Sequence, residues 1–341
     1  MADYKNTIER ILNSVDIEIN GSRPWDLQVH DERFYSRVLS GGTLAFGESY
    51  MDGWWDCESL DQFGDKLLSG RIDKQVKITS LYFLMNVARA FMFNAQTKKR
   101  SYIVGREHYD IGNDLFSLML DEKMNYSCGY WRKAKNLEQA QINKLDLICR
   151  KLHLKPGMSV LEIGCGWGSF AKYAAENYGV SVHGVTISKE QVSYAKKSCE
   201  GLDVSFELKD YRELNKKYDS IVSIGMFEHV GYKNYRNYME VVNRCLKDDG
   251  LFLLHTIGRN NPGRATDPWI NKYIFPNGMT PSSSQICESI EGLFVIEDWH
   301  NFGQDYDATL MAWHENFQKN FDILTGTYDE RFKRMWEYYL L

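Results

Sequence analysis

The chain has 341 residues, 43% of them hydrophobic and 26% charged, a balance that excludes a largely disordered protein and allows one large domain or two smaller ones. Lys plus Arg total 41 against 46 Asp plus Glu, and the resulting net charge of −5 argues against a general nucleic-acid binder. Aromatic residues reach 14%, enough to line an apolar surface as well as a core.

Residues 1–95 read as a mainly helical N-terminal domain, lipid-facing or regulatory. Ile8, Ile11, Leu12 and Val15 recur at helical spacing. Turn-rich patches follow at Asn20–Pro24 and Ser40–Gly42, and Glu48–Trp55 is dense in aromatics. Residues 72–93 read as an amphipathic helix with Leu81, Leu84, Met85 and Val87 apolar, and Lys98, Lys99 and Arg100 follow. This segment either docks on a membrane or packs its apolar face against the rest of the protein. A linker at 96–105 then leads into a catalytic domain over 106–341.

No run reaches 18 apolar residues, and the opening residues lack the apolar core of a signal peptide. Any meeting with a membrane is therefore expected to be peripheral, on the cytoplasmic side. The seven cysteines are scattered, with no CxxC pair and no Cys/His zinc spacing. They read as reduced thiols of a cytoplasmic protein, and no metal site is expected.

From about residue 138 the rhythm becomes α/β. A helix pattern over 137–152 ends at Pro156-Gly157. Strands are expected at Ser159–Ile163, Ser181–Val185, Val204–Leu208, Ser220–Ile224, Leu251–His255 and Phe294–Trp299. Helical patterns at 168–178, 189–199, 233–246 and 282–290 alternate with them. This alternation predicts a doubly wound, mostly parallel, Rossmann-like sheet whose ligands sit at the carboxyl ends of the strands.

Val160–Gly168 is a strand running into a glycine loop and then a helix. The spacing is GxGxG rather than the GxGxxG that seats a pyrophosphate. Glu162, two residues before Gly164, argues for a cationic ligand, and S-adenosylmethionine carries an amino group and a sulfonium. A tight turn without a ligand is the plainer alternative. After the second strand, Thr186, Ser188 and Gln191 offer hydroxyls and an amide to a ribose, although Ser188 also reads as a helix cap. After the third, Asp210 can accept from an adenine amino group and Tyr211 can supply a stacking face; a surface turn reads equally well.

Several segments together resemble the cyclopropane-fatty-acyl-phospholipid synthases. They are Gly47–Gly53, Glu107–Asp114, Tyr126–Trp131, Leu161–Gly168, Gly225–Gly231, His255–Gly258, Trp269–Pro276 and Asp298–Gly303. The resemblance runs from about residue 17 to the last residue. The glycine loop alone suits any such methyltransferase; the joint presence of the others is far more specific. Proteins of this family continue past the Tyr338-Tyr339-Leu340 segment with a cysteine and a last strand, so the sheet of this chain is expected to lack that strand.

The resemblance implies transfer of a methylene group from S-adenosylmethionine to a cis double bond in the unsaturated acyl chain of a membrane phospholipid. The alkene is then the nucleophile, so no Ser, Cys or Lys nucleophile is needed. Methyl transfer leaves a carbocation-like centre, and a base must remove a proton from that methyl group before the ring closes. Such a site must exclude water, and aromatic faces can stabilise the cation.

The resemblance further implies bound bicarbonate as the base, with Cys128, Glu228, His255, the backbone of Ile257 and Tyr306 around it. Histidine, a tyrosine hydroxyl and a backbone N–H can donate to an anion, and Glu228 can accept the O–H of bicarbonate. For the methyl donor it implies Tyr126, Ser127, Glu162, Gly164, Gly166, Gly168, Thr186, Ile187, Gln191, Asp210 and Tyr211. Partners are the bilayer and its unsaturated acyl chains, with a homodimer compatible and nucleic acid excluded. Taken singly, several of these residues have plainer readings. His255 suits a hydrogen-bonded core histidine, Cys128 a small buried hydrophobe, and His229 a packing partner of Glu228. His108 and Asp110 shape a lid or cap a helix near Asn113. Another S-adenosylmethionine-dependent methyltransferase, or a non-enzymatic lipid-binding protein, remain the alternatives.

Overall fold

The computed structural model describes residues 2–70, 112–263 and 265–341. The expected amphipathic segment at 72–93, the Lys98–Arg100 cluster, the 96–105 linker, His108 and Asp110 lie outside the described residues. The chain divides into two compact units.

The first unit gathers the described residues of 1–93, 267–276 and 318–341. It therefore includes two segments that the sequence reading assigned to the catalytic domain. Helices Ala2–Asn13, Arg33–Met51 and Leu60–Ser69 surround a two-stranded antiparallel ribbon of β1 (Gln28–Val29) and β2 (Trp55–Asp56). Ile8, Leu12, Phe34, Trp55 and Phe63 form its core, joined by Tyr338 and Leu341 from the end of the chain. Two segments that carry the resemblance meet in this unit. A Cβ on Gly47 would lie 2.5 Å from the Trp269 ring, so glycine is what lets the indole close onto the Arg33–Met51 helix. Beside it, the Glu48 carboxylate accepts from Lys272 Nζ at 2.6 Å and from the Tyr273 hydroxyl at 2.9 Å.

The second unit, the described residues of 94–266 and 277–317, holds the sheet. Its strands are β3 (Ser159–Ile163), β4 (Ser181–Thr186), β5 (Val204–Leu208), β6 (Tyr218–Ile224) and β7 (Leu246–His255). All pair in parallel, in the order β5-β4-β3-β6-β7. Central β3 is buried along Val160–Ile163, which explains its nearly continuous apolar run. Helices Ser169–Tyr178, Lys189–Ser198 and Tyr235–Cys245 alternate with the strands, as the apolar periodicity predicts. The order reverses between β3 and β6, so the crevice outside their carboxyl ends is the place for a ligand.

The expected sixth strand is a correction. Phe294–Trp299 forms no strand; Val295 is 88% exposed and Trp299 54%. Its apolar residues give β-propensity, but a strand also needs a hydrogen-bonded neighbour. The segment has none among the described residues, and β7 pairs on its β6 side only.

Candidate functional site

The glycine loop turns at the carboxyl end of β3. Gly164, Gly166 and Gly168 all have positive φ, at 82°, 52° and 88°. Gly168 caps the Ser169–Tyr178 helix, and a Cβ there would press on Phe206 and Ala195 at 3.0 and 3.1 Å. Among the described residues a Cβ on Gly166 would meet no atom within 4 Å, which leaves the backbone open to a ligand. The Gly164 and Cys165 amides both donate to the Val185 carbonyl of β4, which pins the loop to the sheet.

Glu162 is 3% exposed on β3. Burial pushes its carboxyl well above the usual range, opposed by a hydrogen bond from the Ala171 amide in the first turn of the helix and by the charge of Lys144. Its Oε2 is buried and has no hydrogen-bond partner among the described residues. A buried carboxylate oxygen without a partner is costly, and a cationic ligand group would complete it.

The Tyr126–Cys128 loop lies over the neighbouring strand end. A Cβ on Gly225, just past β6, would sit 3.7 Å from Ser127 Cβ. The Tyr126 ring packs between Phe116 and Trp313, with centroids at 5.0 and 5.2 Å. Ser127 Oγ accepts from Lys144 Nζ at 2.8 Å, and its carbonyl accepts from Gln141 Nε2 at 2.9 Å. Cys128 is buried and its thiol is pushed up to about 12 by desolvation, so it stays neutral at physiological pH.

Beyond β4, the Thr186 hydroxyl donates to Gln191 Oε1 at 2.7 Å, and Ser188 caps the Lys189–Ser198 helix by accepting from the Gln191 amide. Thr186 and Gln191 are buried, while Ile187 is half-buried. Beyond β5, the Asp210 side chain accepts from the Arg212 amide at 3.0 Å, so it caps the short helical turn 211–213. Tyr211 is a core residue, its ring 5.0 Å from that of Tyr238.

Glu228 stands past the end of β6, and His255 is the last residue of β7. Glu228 Oε1 accepts from the Ile257 amide at 2.7 Å, and Oε2 is buried without a partner among the described residues. Desolvation raises its carboxyl above the ordinary range. The His255 ring stacks on Phe302 at 5.4 Å, and its Nδ1 is likewise buried and unpartnered. Desolvation, helped by the Lys144 charge, lowers His255 to about 3, so the imidazole is neutral. His229 is lowered to about 4 for the same desolvation reason. Tyr306 opens the Asp305–Leu324 helix, with its ring edge-on to Trp313. The Ile257 N–H, expected to face an anion, instead donates to Glu228.

Three contributors were missed in the sequence. Lys144 reads as one more charge on an amphipathic helix, yet it is 1% exposed. Thr309 accepts from the Gly129 amide and from the Trp131 indole, so it holds the chain just past Cys128. Phe302 supplies the face beneath His255. Only the helical spacing of Gln141 and Lys144, three residues apart on one face, could have flagged the first.

Comparisons with known proteins place this geometry. A family model described as mycolic acid cyclopropane synthetase matches residues 96–341. The cyclopropane-fatty-acyl-phospholipid synthase of Escherichia coli (strain K12) is 57% identical over 330 residues, 97% of this chain and 86% of that protein. Two solved structures, each 32% identical, cover 70% of this chain and 90% of their own. They are the cyclopropane synthase MmaA2 from Mycobacterium tuberculosis, at TM-score 0.66, and the mycolic acid cyclopropane synthase CmaA1 complexed with SAH and CTAB, at 0.65. Sheet order, glycine loop and these likenesses define an S-adenosylmethionine-dependent methyltransferase. Within that class, the chain belongs to the cyclopropane-fatty-acyl-phospholipid synthase family.

Proposed function

We propose that this protein builds cyclopropane rings in the unsaturated acyl chains of membrane phospholipids, using the methyl carbon of S-adenosylmethionine. The observation that carries the reading is the pair of buried, unpartnered polar atoms, Glu228 Oε2 and His255 Nδ1, at the carboxyl rim of the sheet. Neither belongs to a Ser, Cys or Lys nucleophile. Cys128, with its thiol near 12, is no nucleophile either. The site therefore suits a reaction in which the substrate alkene attacks and the protein handles a proton.

Glu162 and the open backbone at Gly166 would receive the cationic methyl donor. Bicarbonate, when bound, supplies the base for the proton on the transferred methyl group. Glu228 and His255 fit such an anion, one accepting its O–H and the other donating to it; Cys128 and Tyr306 complete the set. The Ile257 amide does not fit that role while it donates to Glu228. Burial of Glu228 and the Phe302 face under His255 keep water from the cationic centre.

The double bond of the substrate lies within a bilayer, so the protein must dock on one. No helix among the described residues is long and apolar enough to cross a membrane, and we read the docking as peripheral, on the cytoplasmic face. The test is gas chromatography with mass spectrometry of membrane lipids after expression in a host that lacks cyclopropane chains. Cyclopropane acyl chains support the reading. Methyl-branched chains alone would replace it with simple methyl transfer. Unchanged lipids, with the methyl donor bound, would leave a lipid-binding protein.

A further inference from the structure

We propose that Lys144 is a positioning residue: its buried ammonium holds the Asn125–Cys128 loop in register beside Glu162 and so sets the methyl-donor end of the site. This rests on the reading that the loop and Glu162 bind S-adenosylmethionine.

Lys144 lies on the Leu137–Lys151 helix and is 1% exposed. Taking an ammonium out of water is costly, and an apolar side chain of similar length would fill the same space without that cost. Its presence asks for a reason, and its contacts supply one. Nζ donates to Ser127 Oγ at 2.8 Å and to Asn125 Oδ1 at 3.1 Å. Asp121 fixes the orientation of Asn125 by accepting from both its backbone amide and its side-chain amide at 2.7 Å. Gln141, one turn earlier on the helix, donates to the Ser127 carbonyl. Residues 125–128 form neither helix nor strand, so these side chains are what hold them.

The charge matters as well as the tether. Asp121 from the turn before the loop, Cys128 from the loop and Glu162 from β3 all face the ammonium, and it acts in turn on His255 at the end of β7. A cation there favours the ionised form of Glu162, the form that attracts a cationic ligand, and it adds to the desolvation that keeps His255 neutral. Burial pulls Lys144 down to about 8, against the opposing pull of Asp121, Cys128 and Glu162. The cation is therefore lost just above physiological pH.

The experiment measures S-adenosylhomocysteine affinity by calorimetry from pH 6 to pH 9.5, and steady-state turnover on unsaturated phospholipid vesicles, for the full chain and for Lys144→Met. The expected result is affinity about tenfold weaker and turnover lower by on the order of 100-fold, with KM for lipid unchanged. The parent should lose affinity steeply from about pH 8, where Lys144 and the ligand's own α-amino group both lose a proton, and the variant should keep only the shallower limb of the ligand. If Lys144→Met fails to fold, Asn125→Ala cuts the same tether and must weaken affinity in the same direction. A folded variant of either kind with parental affinity and pH profile overturns the proposal, whatever its change in unfolding midpoint. Because the calorimetric arm needs no lipid, it stands or falls separately from the ring-forming reading.

Discussion

Glu228 accepts a 2.7 Å hydrogen bond from the Ile257 amide, and this bond ties the turn after β6 to the loop after β7. It leaves one carboxylate oxygen buried and unpartnered. Glu228→Gln keeps an oxygen for the Ile257 N–H and removes the charge. Affinity for S-adenosylhomocysteine should be unchanged, and turnover should fall on the order of 100-fold if the carboxylate acts in proton transfer. Because burial raises the Glu228 carboxyl, parental activity should decline on the acid side at a pH above the ordinary carboxyl range. Parental turnover in the variant, with bicarbonate in excess, would remove Glu228 from the mechanism.

Arg334 makes a second testable knot, inside the first unit. Its Nε donates to the Tyr50 carbonyl at 2.6 Å, and Nη2 donates to the Trp55 carbonyl at 2.9 Å and to Asp56 Oδ1 at 2.6 Å. The guanidinium also lies 4.0 Å from the Tyr50 ring centroid. Arg334→Met fills the volume but takes the guanidinium donor from the Trp55 carbonyl and from Asp56, while the Tyr50 carbonyl keeps the Gly53 amide at 3.0 Å. One unsatisfied buried carbonyl costs about 1–3 kcal/mol, so a loss of that size is expected in urea unfolding. Lysine should not rescue it, since one ammonium cannot reproduce the planar fork. A loss below about 0.5 kcal/mol would show that the knot is not needed.

The sheet was legible in the sequence because its signals are local. β3 begins and ends with its apolar run and β5 with its apolar alternation, and the glycines of 164–168 take the positive φ that their spacing implies. What was not legible depends on partners distant in the chain. Phe294–Trp299 has strand-like composition but no neighbour to pair with among the described residues. Gly47 looks like a flexible point until Trp269 is seen against it. The Ile257 amide looks available until Glu228 takes it. Lys144 looks solvated because nothing in its own helix shows that Asn125 and Ser127 cover it.

The membrane prediction rests on sequence alone. Lys98, Lys99 and Arg100 follow the apolar-faced segment, and a chain of net charge −5 needs a local basic patch to meet anionic lipid. Each basic residue near such a surface contributes roughly 1 kcal/mol, fading within a Debye length. Changing all three to Ser should weaken co-sedimentation with anionic vesicles at low salt and remove most of its salt dependence. Parental sedimentation at both salt concentrations would place docking elsewhere.

Gly166 separates a ligand effect from a backbone effect. At φ 52°, with no atom of the described residues within 4 Å of an added Cβ, valine there meets a left-handed backbone but no clash among those residues. The backbone alone costs about 1–2 kcal/mol. Gly201, in the exposed turn after the Lys189–Ser198 helix, is a control of the same kind: its φ is 84° and its Cβ position is equally open. Both valine variants should therefore lose similar stability. Only Gly166→Val should lose affinity for S-adenosylmethionine, because only there does the new side chain occupy the space a ligand would enter. Calorimetry on both folded variants measures the difference. Equal affinity in the two would mean that the methyl donor does not approach the backbone at Gly166.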